Sequence, residues 1–510
     1  MKLAVMLAAA PLLYAILGFP LLAWSDAGSR RLRHAALAGA LLSGWIAELA
    51  FLANRPPRFW VAGLLAISIC LMLARPKAAL AWLRELPGLY LLYLPALGAT
   101  LVSPYPGVGQ WYGDYLEYYR MWLGLSQVLP YDLEMLHRPP LFGGAIASLA
   151  LLADGLPALQ ALSATTAAAA MLAVIELAER WSGKPLPAAA ALPFAVTPFC
   201  LLHVTTCWPK LLAGGATALA IAEVWRCSAS SSGAAWRRGT LWFVGAAATH
   251  NAVILFVPAL FAARGFARQG LLRDAIVFVI AGAAVVAPFE IWTTWKFGRT
   301  AKVEANPAVY YPRALGKVGT FGWNLAATFT GYSDPALVQR APPGGSPWRE
   351  RFSLATLVMT WFAGTLLGLL VPFLGGLAAS ARAIGTATSE NVGFVLAMVL
   401  AILGNAALNA FVGATGVTQT GLVPLCLVAL AGTLACGAVG WKGAMLATTI
   451  GAAFFALPHA TARAMIVSKD GRDWLDDDHQ RRSFSSMNYF FGPDSVGMRS
   501  WPAGPALGSL

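Results

Sequence analysis

Apolar runs of about 20 residues recur along the whole of this 510-residue chain. Each is long enough for a helix to cross a hydrocarbon layer about 30 Å thick. About fourteen runs can be counted, with bounds good to about 2 to 4 residues. They lie near 3–24, 35–53, 59–74, 88–102, 141–153, 157–178, 188–206, 210–226, 239–262, 274–295, 353–377, 392–413, 419–437 and 442–458. With 58% hydrophobic and only 12% charged residues, the chain is too apolar for a soluble fold. The sequence predicts an all-α polytopic membrane protein with about 12–14 transmembrane helices.

Polar stretches divide the chain into a membrane domain and a tail. Two of them, near 103–140 and 296–352, separate apolar runs, and we expect both to be external loops. The transmembrane domain is predicted to cover 1–458, and 459–510 to form a polar C-terminal tail. The run at 141–153 is short, which leaves open a tilted helix, a broken helix or a helix merged with the next run.

The formal net charge of +13 bears on partners and location. In a soluble protein such a charge would favour nucleic acid, but here the Lys and Arg residues lie in short connections between apolar runs. That placement fits membrane topology and anionic lipid, and it does not favour a nucleic-acid partner. The Ala-rich composition without eukaryotic targeting signals predicts a multi-pass protein of a bacterial inner (plasma) membrane.

The same basic residues predict an orientation, because cytoplasmic loops are enriched in Lys and Arg. If the runs alternate across the membrane, three groups fall on one side, which we take as cytoplasmic. These are Arg30, Arg31 and Arg33, then Arg75, Lys77 and Arg84, then Arg264, Arg268 and Arg273. The loops near 103–140 and 296–352 then face outward. Arg226, Arg237 and Arg238 are the exception, because this alternation places them on the outer side.

The first external loop is dense in carboxylates and aromatic rings for so apolar a chain. Its segment 113–120 reads Gly-Asp-Tyr-Leu-Glu-Tyr-Tyr-Arg. If this segment is helical, Asp114 and Glu117 lie on one face because they are three residues apart. A carboxylate at the membrane surface can accept a proton from an acceptor hydroxyl. Tyr118 and Tyr119 offer faces for stacking on a sugar, and they equally fit an interfacial aromatic belt.

The same loop ends in Tyr-Asp-Leu-Glu-Met-Leu-His-Arg-Pro-Pro-Leu at 131–141. Arg138 can hold a phosphate with two parallel hydrogen bonds. A polytopic chain in which a Gly-Asp-x-x-x-Tyr-Tyr segment precedes Arg-Pro-Pro-Leu-Phe resembles the GT-C superfamily of integral membrane glycosyltransferases. It is most similar to the polyprenyl-phosphate-sugar-dependent branch, which includes the protein O-mannosyltransferases and aminoarabinose transferases.

This resemblance implies a GT-C-like fold, a polyprenyl-phosphate sugar donor and a glycan or lipid acceptor. It assigns Asp114 as the base or acceptor-orienting group and Arg138 to the donor phosphate. Glu117 is a further catalytic candidate, with His137 beside Arg138 at the phosphate. The chain departs from the family pattern in three ways. About four runs precede the acidic loop, which in the family usually follows the first helix directly. The position before Arg138 is His137 where the family often has an acidic residue, although Glu134 lies three residues earlier, and no large soluble domain follows the helices. The last departure favours a small or lipid-linked acceptor.

Further candidates lie outside this loop. Glu290 stands near the outer end of its run, and an ionisable group in a span usually faces a cavity or a partner, although an interfacial position fits equally well. We group it with Tyr118, Tyr119 and Glu134 as substrate-binding. Arg313, in the second loop, can neutralise the leaving phosphate.

Other polar residues within or near the runs are expected to hydrogen-bond between helices. They are Glu48, Glu223, His203, His250, Asn251, Asn405 and Asn409, among which His250 and Asn251 are the strongest candidates for another role.

No cofactor is predicted with certainty. The tail segment Asp-Asp-Asp-His at 476–479 has ligands suited to a divalent metal, but flanking arginines fit a solvated, charge-balanced surface better, so no metal ligand is assigned. The chain contains no Walker A loop and no GxGxxG element between a strand and a helix. This favours a lipid-linked donor over a nucleotide sugar.

Two other functions stay open. An O-antigen ligase or polymerase would use a polyprenyl-diphosphate-linked glycan, and would need arginines and a histidine in the long external loop, whereas 296–352 has no histidine. A transporter or lipid flippase would line a path at the membrane midplane with Glu48, Glu223, Glu290 and His250, and would not need Asp114.

Overall fold

The computed structural model describes the chain in segments. The described residues are 2–23, 29–102, 112–131, 135–136, 138–152, 156–205, 207–225, 232–264, 270–298, 316–330, 389–411 and 423–437. Within these segments the secondary structure is helical, without a strand. The predicted runs at 353–377 and 442–458 and the tail at 459–510 lie outside them.

The described helices, in chain order, are α1 (Lys2–Ala23), α2 (Ala35–Leu52), α3 (Pro57–Ala74), α4 (Pro76–Val102), α5 (Tyr112–Leu125), α6 (Leu141–Leu149), α7 (Leu156–Ser182), α8 (Leu192–Ala195), α9 (Pro198–Thr205), α10 (Lys210–Val224), α11 (Ser232–Thr249), α12 (Val257–Arg264), α13 (Leu271–Phe297), α14 (Gly316–Thr330), α15 (Ser389–Phe411) and α16 (Val423–Ala435). Short 3-10 segments cover Ser29–His34, Ala188–Ala191 and Asn251–Phe256.

The membrane prediction is confirmed at the level of class. Within the described residues, 6 helical stretches are long and apolar enough to cross a membrane. They are Val5–Leu22, Leu32–Leu52, Pro57–Ala74, Ala158–Ser182, Leu271–Phe297 and Val392–Phe411. Shorter apolar helical stretches follow at Asn251–Arg264 and Val423–Ala435. The protein is therefore a helical membrane protein, and the number of about 12–14 spans stays a prediction.

Two of the predicted runs are not single helices. Residues 188–206 form a 3-10 turn and the short helices α8 and α9. Pro193 and Pro198 occupy the first turns of these two helices, a position that proline favours. The run at 239–262 is broken at His250, which is extended at φ −153° and ψ 118°. It continues as a 3-10 turn and α12, so the chain reverses there.

The predicted outer position of Arg237 and Arg238 is wrong, as the contacts at the start of α11 show. Arg238 contacts Glu223 at 3.0 Å, and Trp236 donates a hydrogen bond to the backbone oxygen of Asp274 at 2.9 Å. Asp274 also pairs with Arg264. The start of α11 therefore lies beside the end of α12 and the start of α13, on the side of the Arg264 group.

A buried ion-pair network joins the same end of the bundle to α2 and α7. Arg33 contacts Glu176 at 3.1 Å and Glu179 at 2.5 Å. His34 is hydrogen-bonded to Glu176 at 3.5 Å, and α7 packs against α10, which carries Glu223. We call this end, with Arg33, Glu176, Glu179, Glu223, Arg238, Arg264 and Asp274, the ionic end. Helices α2, α11 and α13 begin at it and run toward the opposite end.

Glycines let the first helices cross closely. A Cβ at Gly39 of α2 would overlap the Tyr14 backbone oxygen of α1, and one at Gly44 would overlap the Leu141 backbone oxygen of α6. Such small-residue crossings are typical of helix packing in lipid. The hydroxyl of Tyr14 also donates a hydrogen bond to the Ala145 backbone oxygen at 2.8 Å. These contacts fix α6, whose nine residues are all buried, against α1 and α2.

Candidate functional site

A cavity of about 170 Å³ lies near the end of the bundle opposite the ionic end. Its polar lining consists of Glu48 from α2, Arg138 from the segment before α6, Asn251 after the break in α11, and Glu290 from α13. The rest of the lining is mostly apolar, with Pro139, Pro140 and residues of α11 and α13. We call it the Arg138 cavity. Four separate parts of the chain build it, so its polar groups converge only in the folded protein.

Arg138 is held by an aromatic ring and by the start of α6. Its guanidinium carbon lies 5.3 Å from the centroid of the Tyr118 ring, and Nη1 donates to the Tyr118 hydroxyl at 3.4 Å. Tyr118 in turn packs edge-on against Phe142 at 5.2 Å. Two prolines stiffen the chain between Arg138 and Leu141. The buried Tyr118 side chain therefore positions the guanidinium through both its ring and its hydroxyl, and such preorganisation suits recognition of an oxyanion.

The two carboxylates come from helices on different sides of the cavity. Glu48 is buried one turn beyond Gly44, where α2 crosses α6. Glu290 follows Pro288 in α13 and is partly exposed. Carboxylates with a guanidinium in one cavity can bind a substrate that has both an anionic group and hydroxyl groups, because the guanidinium binds oxyanions and the carboxylates accept hydrogen bonds from hydroxyls.

An aromatic cluster adjoins the Arg138 cavity. Phe51, Tyr131, Phe289 and Trp292 pack with ring centroids separated by 4.9 Å for Phe51 and Trp292 and by 5.7 Å for Tyr131 and Phe289. Phe289 belongs to both the cluster and the cavity lining. The cluster therefore reaches the cavity through the single ring of Phe289, and the packing of that ring against Tyr131 and Trp292 fixes its position.

The structure brings together two of the predicted site residues, Arg138 and Glu290, in one cavity. Residues 113–120 belong to α5, so the backbone meets the condition under which Asp114 and Glu117 share a helix face; the side chains of these two residues lie outside the described part. The predicted site residues Glu134, His137 and Arg313 also lie outside it.

Tyr118 and Tyr119 are packed in the core, with 1% and 5% of their surface exposed. Tyr118 therefore acts on the cavity through Arg138, and its ring is not presented to solvent as a stacking face.

Sequence reasoning did not assign Glu48 to the site. A glutamate in an apolar run signals a buried partner or a cavity, but the sequence alone does not say which. Asn251 was a stronger candidate, and the break at His250 explains its place, because it ends α11 and turns residue 251 toward the cavity. The aromatic cluster gave no sequence signal, since its members come from three distant segments.

No three or more His, Cys, Asp or Glu side chains within the described segments form a group that could hold a metal ion. The acidic segment 476–479 lies outside those segments.

No protein-family model, curated protein or solved structure matches this chain. From its fold and its site, the chain is a helical membrane protein with a small cavity, lined by both acidic and basic side chains, near one end of its helix bundle.

Proposed function

We propose that the protein is a membrane glycosyltransferase that transfers a monosaccharide from a polyprenyl-phosphate donor to a lipid-linked or cell-envelope glycan acceptor. The observation that supports this most is the shared cavity of Arg138 and Glu290. Each residue is a sequence-based candidate for its own reason, one as a phosphate ligand and one as an intramembrane carboxylate, and both line the Arg138 cavity.

In the proposed reaction, Arg138 binds the donor phosphate, assisted by His137 and Arg313. An acceptor hydroxyl attacks the anomeric carbon while Asp114 takes its proton, with Glu117 on the same helix face. A new bond forms from the acceptor oxygen to the anomeric carbon, and the bond from that carbon to the phosphate oxygen breaks. The electron pair leaves with the polyprenyl phosphate, whose charge Arg138 neutralises. Positioning and charge stabilisation supply most of the catalysis, since the phosphate is already a competent leaving group.

The distribution of arginines between the two ends of the bundle favours a site that faces outward. Arg33, Arg238 and Arg264 lie at the ionic end, and the positive-inside rule makes that end cytoplasmic. The Arg138 cavity lies at the other end, and this arrangement supports a reaction at the outer face. With the composition of the chain, this supports a bacterial inner membrane.

The test uses protein reconstituted in nanodiscs with a panel of polyprenyl-phosphate monosaccharides and a crude lipid and glycan extract as acceptor source. Mass spectrometry follows release of free polyprenyl phosphate. We expect release by the wild type and none by Asp114→Asn, with equal expression and thermal stability of the two proteins. Full activity of Asp114→Asn would show that Asp114 has no catalytic role. If the wild type releases no polyprenyl phosphate from any donor, the protein is not a glycosyltransferase of this class.

A transporter is the second candidate, because Glu48 and Glu290 line the same cavity. The placement of Glu223 counts against it: this carboxylate contacts Arg238 at the ionic end and not the Arg138 cavity. Proteoliposomes separate the two functions. Flipping or uptake of a labelled lipid-linked sugar that Glu48→Gln abolishes and Asp114→Asn leaves intact would favour the transporter.

A further inference from the structure

The charged side chains that line the Arg138 cavity are not balanced in number. Within the described lining, the carboxylates of Glu48 and Glu290 share the cavity with the single guanidinium of Arg138. The other side chains of that lining are uncharged. A donor phosphate that binds Arg138 offsets the positive charge, because a guanidinium pairs with an oxyanion. The part of the lining that remains for the rest of the headgroup then carries an excess of negative charge.

Glu48 contributes the more buried of the two carboxylates. Only 3% of its surface is exposed, whereas Glu290 is partly exposed. A charge in a buried environment acts on its neighbours more strongly than one in water, because Coulomb energies vary inversely with the effective dielectric constant. One turn before Glu48, a Cβ at Gly44 would overlap the Leu141 backbone oxygen of α6. This close crossing fixes the backbone position from which the Glu48 side chain reaches the cavity.

The end of α11 adds negative potential at the same place. Ala247 and Ala248 belong to the last turn of α11 and line the cavity. The helix ends at Thr249, where the backbone becomes extended at His250. A helix C-terminus carries about half a negative elementary charge on its last carbonyl groups. Two carboxylates and a helix C-terminus, from three separate helices, therefore give the cavity beside Arg138 a negative potential.

We propose that Glu48 determines which sugar the donor carries, by accepting a hydrogen bond from a neutral sugar hydroxyl and by excluding sugars that bear an acidic group. An ionised carboxylate accepts hydrogen bonds and donates none, so a hydroxyl suits it and a second carboxylate does not. A uronic acid is ionised at neutral pH, and in this cavity it would face two like charges at short range. A repulsive group of this kind is a general source of specificity. This inference rests on the proposed function and narrows its substrate class to donors whose sugar carries no negative charge.

Matched lipid-linked sugars test the proposal by equilibrium binding to protein in nanodiscs of zwitterionic lipid, which does not itself repel an acidic ligand. Farnesyl-phosphoryl glucose and farnesyl-phosphoryl glucuronic acid share the lipid and the phosphate, and differ only in a hydroxymethyl group against a carboxylate. The galactose and galacturonic acid pair repeats the comparison with another stereochemistry, and farnesyl phosphate alone reports on the Arg138 site. We expect the wild type to prefer the neutral sugar in both pairs by about tenfold, which corresponds to about 1.4 kcal/mol.

Variants assign that preference to Glu48. Glu48→Gln keeps the shape of the side chain and removes its charge, so it should reduce the preference to about threefold or less by improving the binding of the acidic sugars. Glu48→Asp keeps the charge and should keep most of the preference. Glu48→Met is a second neutral replacement, apolar and of similar length, and it keeps the test decisive if Glu48→Gln does not fold. Glu85→Gln, at a glutamate of α4 outside the described cavity lining, controls for the general loss of one negative charge.

The outcomes distinguish the specificity of the site from its existence. A wild type that binds the acidic sugars as tightly as the neutral ones, or a preference that the neutral variants of Glu48 leave unchanged, overturns the role of Glu48 and leaves the proposed function standing. A preference confined to one pair reports stereochemistry and not charge, and it overturns that role as well. If neither farnesyl phosphate nor any of the four sugar esters binds, the phosphate site at Arg138 fails and both proposals fall.

Discussion

At the scale of residues, the main feature of the Arg138 cavity is the guanidinium of Arg138, which the side chain of Tyr118 holds in position. The Tyr118 ring and hydroxyl both contact Arg138, and burial of Tyr118 fixes the ring in turn. A flexible arginine would lose side-chain entropy on binding a phosphate, and this arrangement reduces that loss. If the proposed function holds, affinity for the donor should therefore depend on Arg138 in particular.

Replacing Arg138 by alanine should raise the apparent KM for the donor by about tenfold or more, because a hydrogen bond to a charged group contributes about 1.5–3 kcal/mol. The KM for the acceptor should change by less than about twofold. Steady-state kinetics with each substrate varied in turn measures both. Arg58→Ala, at an exposed arginine beyond α2, is the control. Equal increases in both KM values would show that Arg138 serves folding and does not bind the donor.

At the scale of elements, close helix crossings set the position of the cavity walls. Gly44 lets α2 approach α6, one turn before Glu48 and next to the helix that follows Arg138. Spacing in the sequence cannot reveal this crossing, because it joins residues about a hundred positions apart. The same contact that packs the bundle thus brings Glu48 toward Arg138.

Gly44→Ala should lower the stability of the protein by about 1–3 kcal/mol, since the added methyl must displace the backbone at Leu141. Gly63→Ala is the matched control, because nothing lies within 4 Å of a Cβ added there, and it should be neutral or stabilising by up to about 1 kcal/mol. Thermal unfolding in detergent compares the two. A Gly44→Ala protein as stable as Gly63→Ala would mean that α2 and α6 are not in close contact.

The ionic end ties α2 to α7 through charged groups. The Arg33 and Glu179 side chains are 7% and 9% exposed, and breaking a buried ion pair by removing one partner costs about 3–5 kcal/mol. Glu179→Gln should therefore markedly lower the unfolding temperature. Arg180→Gln, at a side chain that is 41% exposed, should change the stability by less than about 1 kcal/mol. Similar unfolding temperatures for the two variants would contradict a structural role for the Arg33 pair.

At the scale of the whole molecule, the sequence predicted the class of fold better than the path of the chain. Hydropathy identifies apolar runs reliably, and from these runs the sequence predicts a helical membrane protein. Pro193 and Pro198 lie in the first turns of α8 and α9, but prolines also lie inside α1, α4 and α13, so a proline in the sequence does not by itself mark the break within 188–206. No glycine or proline adjoins His250, so the sequence does not mark the break there.

The site shows the same limit. Arg138 and Glu290 carried chemical signals of their own, a basic-Pro-Pro segment and an intramembrane carboxylate. The roles of Glu48 and the aromatic cluster depend on neighbours that are distant in the sequence, and periodicity does not identify such neighbours.

Orientation can be tested on intact cells. A cysteine introduced by Arg58→Cys, beyond α2 and away from the ionic end, should react with a membrane-impermeant maleimide added outside. A cysteine introduced by Lys184→Cys, next to the ionic end, should react only after the membrane is permeabilised. Cells that express the unmodified protein give the background from the native cysteines, of which Cys70 is exposed. The reverse pattern of labelling would show that the Arg138 cavity faces the cytoplasm.

The most direct test of the account is to locate the bound donor. A polyprenyl phosphate with a photoreactive group in its first isoprene unit is crosslinked to the protein in nanodiscs, and peptides are mapped by mass spectrometry. We predict labelling of α13 around Val285, Val286 and Phe289, which line the Arg138 cavity, with competition by unlabelled polyprenyl-phosphate sugar and loss in Arg138→Ala. Labelling confined to other helices, or labelling that Arg138→Ala and the competitor leave unchanged, would contradict a donor site in this cavity.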